Sequence, residues 1–108
     1  MPAPSKRLYE LKAEVMQALG HPIRLMILDC LSDEELSVGE LAERVGAERS
    51  NVSRHLAVLL KADILENRKD GLYVTYRLKT RCVLGFMSCL TQVLRERMEG
   101  TTALLKQL

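Results

Sequence analysis

At 108 residues, 47% hydrophobic and 28% charged, the chain has the balance of one ordinary folded domain and not of a disordered one. Its net charge of +2 is too small to decide for or against a polyanionic partner, so the distribution of charge must. Three cysteines, an odd number, argue against a disulfide framework; no apolar run approaches the roughly 18–20 residues of a membrane span, and Met1 to Lys6 is too polar for a secretory signal, so cytoplasmic residence away from membranes is expected.

The two prolines within 1–5 suggest a loose arm. Leu8, Leu11, Val15, Met16 and Leu19 recur at helical spacing and predict a first helix over about 7–19, closed by Gly20. His21-Pro22 opens a second, with proline at a tolerated first-turn position and Leu25, Ile27, Leu28 and Leu31 on the inner side. Ser32-Asp33-Glu34-Glu35 is a polar break. Val38, Leu41, Ala42 and Val45 define a short third helix, and Gly46-Ala47-Glu48 a turn. A fourth helix, about 49–61, buries Val52, Leu56, Leu59 and Leu60. The period then falls from about 3.6 to 2. Residues 64–69 and 72–78 read as strands joined by a tight turn at Asp70-Gly71. A last helix is predicted over about 81–98, capped by Thr80 and ending near Gly100, with 101–108 an extension or frayed.

This order gives a single domain, mainly α with a β-hairpin wing. It is a winged helix-turn-helix, with the helix-turn-helix at about 38–61 and the wing at about 64–78. A DNA-reading helix needs one face for the core and another offering hydrogen-bond donors. Arg49, Ser50, Asn51, Ser53 and Arg54 lie on the outer side of the fourth helix. Asn can pair with adenine and Arg with guanine, each through two bonds, and serines permit close approach. His55 is a further candidate for a phosphate or base contact.

Charge agrees locally. From Arg44 to Lys69, six basic residues (Arg44, Arg49, Arg54, Lys61, Arg68, Lys69) meet three acidic ones (Glu48, Asp63, Glu66). Arg68 and Lys69 sit beside the hairpin tip, where a wing touches backbone or minor groove. Double-stranded DNA is the expected partner. No nucleophile–base pair, metal triad or phosphate loop is legible, so no enzymatic activity is expected and no cofactor is required.

Four segments carry a family resemblance. Ala18-Leu19-Gly20-His21-Pro22-Ile23-Arg24-Leu25 fits the pattern AL-x-x-P-x-R-L, and Glu35 to Leu41 fits E-L-x-V-x-E-L. Ser50 to Leu56 fits S-x-V-S-x-H-L, and Gly71 to Leu78 fits G-x-x-x-x-Y-x-L. Together they resemble the ArsR/SmtB family of metal- and thiol-responsive repressors. The resemblance implies a homodimer held by the first and last helices, about 7–19 and 81–98, bound to a palindromic operator and released by an effector. The stripes Leu8, Leu11, Val15, Leu19 and Cys82, Phe86, Cys89, Val93 suit such a seam.

The effector is less defined. The family's arsenic-type site carries cysteines where this chain has Ser37 and Gly39, and its zinc-type site needs histidines in the last helix, where there are none. Cys30, Cys82 and Cys89 remain as the candidate thiol sensor. Its effector would be As(III), Sb(III) or another soft metal, or else an oxidant or reactive sulfur species. Cys82 follows Arg81 near a helix start, a setting that favours thiolate chemistry. On a regular helix Cys82 and Cys89 are separated by a rise of about 10.5 Å, beyond the roughly 7 Å between Cα atoms that a disulfide allows. Either Cys82 lies in a non-helical turn before the helix, or each needs another partner, for which Cys30 of the same or the opposite subunit is the remaining choice. A DNA-binding regulator with no thiol sensor stays open, because free cysteines often serve as small hydrophobes.

Overall fold

The computed structural model describes residues 5–98 and 106–108. The elements in chain order are α1 (Lys6–Leu19), α2 (Pro22–Cys30), β1 (Leu36–Ser37), α3 (Val38–Val45), α4 (Arg49–Lys61), β2 (Leu65–Asp70), β3 (Tyr73–Leu78) and α5 (Val83–Arg97). The predicted helices all form, and α3 and α4 have the expected bounds. Gly100, and the predicted extension as far as 105, lie outside the described residues, as do 1–4 of the arm.

One core unites the helix-turn-helix with the sheet. Ile27 and Leu28 of α2, Leu41 of α3, and Val52, Leu56 and Leu59 of α4 are buried together with Leu36, Leu65 and Leu78. These are the positions that the 3.6-residue period assigns to inner faces. No polar or charged residue is buried among them. Helix α5 joins this core only at its first turns, through Val83, Leu84, Phe86 and Met87.

Several local expectations are corrected. Ser5 is not a loose residue, because its hydroxyl accepts the Leu8 amide and caps α1. The polar break runs into a strand, β1, that pairs antiparallel with β3 through Leu36↔Tyr76 and Ser37↔Thr75. Two residues are too few to show a period, so the sequence carried no strand signal there, and Leu36 is buried in the structure. Ser37 then caps α3 in a reciprocal box with Glu40: the Glu40 amide donates to Ser37 Oγ and the Ser37 amide to Glu40 Oε1. The bond from the Ser37 amide, and after it the Ser37 hydroxyl, holds the Glu40 carboxyl below the usual carboxylate range.

The hairpin turn lies one residue later than expected. Asp70 pairs with Tyr73, which leaves Gly71-Leu72 as the two-residue turn, with φ of +65° at Gly71. Glycine in the first central position is the II′ pattern, whose twist matches the flanking strands. Thr80 does not cap α5; its hydroxyl donates to the Asp63 carbonyl, and Cys82 occupies the cap position without a side-chain bond. Helix α5 therefore starts at Val83.

Candidate nucleic-acid interface

The turn between α3 and α4 closes with Gly46 in the left-handed region, φ +71°, its amide bonded to the Ala42 carbonyl. This presents α4 with Val52, Leu56 and Leu59 inward and Ser50, Ser53 and Arg54 exposed. Asn51 is half-buried and its Oδ1 accepts from Arg54 Nη2 at 3.0 Å. The pair is therefore one unit, in which Asn51 fixes the guanidinium and Arg54 offers its remaining donors outward. Arg49 is exposed, but its guanidinium lies across the turn on α3: a Cβ on Gly39 would fall 2.8 Å from Nη2. Arg49 thus reaches solvent from beside α3, away from the line of Ser50, Ser53 and Arg54.

His55 faces the body of the protein. Its Nδ1 lies 3.1 Å from Arg24 Nη1, and its ring is 4.1 Å from that of His21, tilted by 40°. Burial, the largest cause, and the neighbouring His21, Arg24 and Arg54 all push its pKa below the ordinary value of 6.5. His21 in turn caps α2 by accepting the Ile23 amide on Nδ1. Arg24 Nη2 donates to the Gln17 carbonyl, so one guanidinium ties the end of α1 to α4. His55 is hence a fixture of the base of α4, not one of the outward side chains. The helical period gave no sign of this contact across 31 residues, although the segments that carry the family resemblance fix both partners, Arg24 as the R of AL-x-x-P-x-R-L and His55 as the H of S-x-V-S-x-H-L.

In the wing, Arg68 is exposed and bound to Glu35 at 3.5 Å. Arg77 is bound to Glu66 at 2.6 Å, and Lys79 lies 3.3 Å from Asp63. Lys69 is exposed and has no ion pair among the described residues. Of the two wing cations expected to meet DNA, Lys69 is the more available.

The cysteines do not converge. Among the described residues, no three His, Cys, Asp or Glu side chains stand close enough together to hold a metal ion. Cys30 is half-buried, and burial pushes its thiol pKa up against the opposing pull of Arg44. Cys82 and Cys89 are exposed. Cys82 has helical dihedrals, φ −63° and ψ −16°, so the regular-helix separation from Cys89 applies. Arg81 turns from Cys82 to the end of α2, donating to the Ser32 carbonyl at 2.7 Å. The three sulfurs therefore do not form one site within a protomer.

Comparison with known proteins bears on this arrangement. Residues 19–68 match the family model for a helix-turn-helix domain. The HTH-type transcriptional regulator Rv0081 of Mycobacterium tuberculosis is 36% identical over 105 residues, covering 96% of this chain and 92% of its own. The chain belongs to the ArsR family of winged helix-turn-helix transcriptional regulators.

The crystal structure of Rv0081 superposes on this regulator with a TM-score of 0.78 at 35% identity, over 91% of this chain and 99% of that one. A solution structure of Mb0332 from Mycobacterium bovis, described as a homodimeric winged helix-turn-helix DNA-binding domain and a possible ArsR-family regulator, gives 0.76 at 29% identity, over 93% and 95%. The repressor BigR of Xylella fastidiosa gives 0.71 at 33%, over 82% and 89%. The winged helix-turn-helix read from the sequence is the fold of this regulator, and its relatives are DNA-binding regulators of transcription. Among the described residues no helix is long and apolar enough to cross a membrane.

Proposed function

We propose that this regulator is a homodimeric repressor. It would bind operator DNA through Ser50, Ser53 and the Asn51–Arg54 pair of α4, with Lys69 and Arg68 of the wing on the backbone. The observation that carries this reading is the outward face of α4, where small hydroxyls flank a guanidinium already held by Asn51. Such an arrangement suits close approach to base edges in a major groove.

The dimer reading rests on apolar surface. Leu8, Leu11 and Val15 of α1 are 41–44% exposed, and Val93 and Leu94 of α5 are 50% and 39% exposed. The radius of gyration of 16.1 Å exceeds the roughly 13 Å of a compact chain of this size. Helices that leave such stripes open on a flat body are completed by a second copy about a two-fold axis.

For the switch, the reading is that an effector reacting with Cys82 or Cys89 weakens DNA binding. Arsenite, antimonite or another soft metal suits thiolates, and an oxidant or persulfide would act on the same sulfurs. Binding would then require sulfurs from both subunits, because one protomer does not bring them together. The separation of the cysteines and the raised pKa of Cys30 favour a second reading, in which the repressor has no thiol sensor.

Duplex-DNA anisotropy with the reduced protein, repeated with arsenite, antimonite, zinc, cadmium, peroxide and persulfide, tests both. Release that vanishes in Cys82→Ser supports the sensor. Release by no reagent, or unchanged release in a variant lacking all three cysteines, leaves the second reading.

A further inference from the structure

The most exposed apolar side chains among the described residues stand at the wing tip. Leu72 is 99% exposed and the adjoining Tyr73 74% exposed. The backbone places them there: pairing of Asp70 with Tyr73 forces a two-residue turn, and Gly71 at φ +65° aims Leu72 off the end of the hairpin. The surrounding charges are unevenly spent. Arg68, Arg77 and Lys79 are bound to Glu35, Glu66 and Asp63, while Lys69 has no ion pair among the described residues. By strand alternation Lys69 shares one face with its partner Val74, while Asp70, the acid nearest the tip, shares the other with Tyr73.

We propose that the wing tip is an apolar wedge. Leu72, steered by Lys69, seats in the minor groove of the duplex flanking the half-site read by α4. The inference rests on the reading of α4 as the base-reading helix. A narrow projection with one branched aliphatic side chain suits the minor groove, which is roughly 6 Å wide. Leucine is among the residues that part base steps there. Lys69, one residue further down the strand than Asp70, supplies the attraction to phosphate that an apolar tip lacks. A solvated hairpin tip has no need of two adjacent large apolar residues, and a contact made by charge alone would have none.

The test begins with selection of a duplex from a randomised library by the wild-type protein. Its flanking steps are then labelled one at a time with 2-aminopurine, which brightens when unstacked. Leu72→Ser is expected to bind about tenfold more weakly with an unchanged salt dependence and to leave every probe dark, while Leu72→Met keeps both affinity and signal. Lys69→Gln is expected to lower the salt slope by about one. Leu72 packs against no core residue, so the variants fold, and far-UV circular dichroism checks this. Binding of Leu72→Ser within twofold of wild type overturns the wedge, as does a wild type that brightens no flanking probe. A Leu72→Ser variant that changes self-association and not DNA binding also overturns it, by making the tip a protein contact. If the wild type selects no duplex in a salt-dependent way, the α4 reading fails with it, so the two failures are distinct.

Discussion

Arg24 and His55, on α2 and α4, meet through Nη1 and Nδ1 at 3.1 Å. A guanidinium has only donors, so His55 Nδ1 must carry the lone pair and its proton sits on Nε2. Protonating the ring would remove that acceptor and set a cation against Arg24 and Arg54, in accord with the lowered pKa.

The linkage has a definite sign. Unfolded, His55 takes up its proton near pH 6.5; folded, it does so at lower pH. Between those values the unfolded state binds more protons, so stability rises with pH. The contribution of neutral His55 is present above the window and is lost as pH falls through the folded value. The urea midpoint is therefore expected to drop between about pH 7.5 and 5.5, and the drop should shrink in His55→Gln. An identical pH dependence in the variant would refute the assignment.

Gly39 separates folding from binding. A Cβ there would meet Arg49 Nη2 at 2.8 Å and Cζ at 3.0 Å, but these are the far end of a flexible side chain. Gly39→Ala in α3 is thus expected to hold or raise stability, by up to about 1 kcal/mol. It should displace the Arg49 guanidinium and change DNA affinity. Thermal melts and anisotropy on the same samples check the pair of outcomes. A loss of stability would show that the guanidinium cannot move aside.

Asn51 and Arg54 are expected to act as one unit. Arg54→Ala should cost about 1–3 kcal/mol of binding and relax selection at one base pair. Asn51→Ala should weaken the same base preference less, by freeing the guanidinium. The double variant should then resemble Arg54→Ala alone, a non-additivity that a double-mutant cycle measures. Additive losses would mean that Asn51 reads a base of its own.

How much of this was legible follows the range of the interactions. The buried stripes of α2, α3 and α4 repeat within a turn or two, and Gly46 punctuates them, so the helix-turn-helix could be read residue by residue. The last residue of α4, Lys61, could be read as well, but the backbone that leaves it could not. Asp63 takes φ +62° where glycine is usual, with its amide on Leu60 O and the Ile64 amide on Leu59 O. Strand β1, the Arg24–His55 contact and the seat of Arg49 on Gly39 also join residues without a shared local pattern. Of the outward side chains, Ser50, Ser53 and Arg54 stand where the helical face put them. His55 follows Val52 by three residues and precedes Leu59 by four, so the wheel already turns it toward the inner face, where Arg24 and His21 meet it.

Leu11 and Val93 carry the last prediction. They are 43% and 50% exposed on α1 and α5, on surfaces that a monomer leaves in water. If a second copy covers them, folding is coupled to association, and the melting temperature of the wild type should rise with protein concentration. Glutamate at both positions would place charges in that seam without entering the core formed by Ile27, Leu41 and Leu59. The double variant Leu11→Glu/Val93→Glu should then sediment as a folded monomer with a concentration-independent melt. It should lose far more affinity for a duplex carrying two half-sites than for one carrying a single half-site, since only the former gains from a linked second contact. A wild-type melt unchanged over a hundredfold range of concentration, with monomeric sedimentation throughout, would sink the dimer. The exposed stripes would then require a different partner.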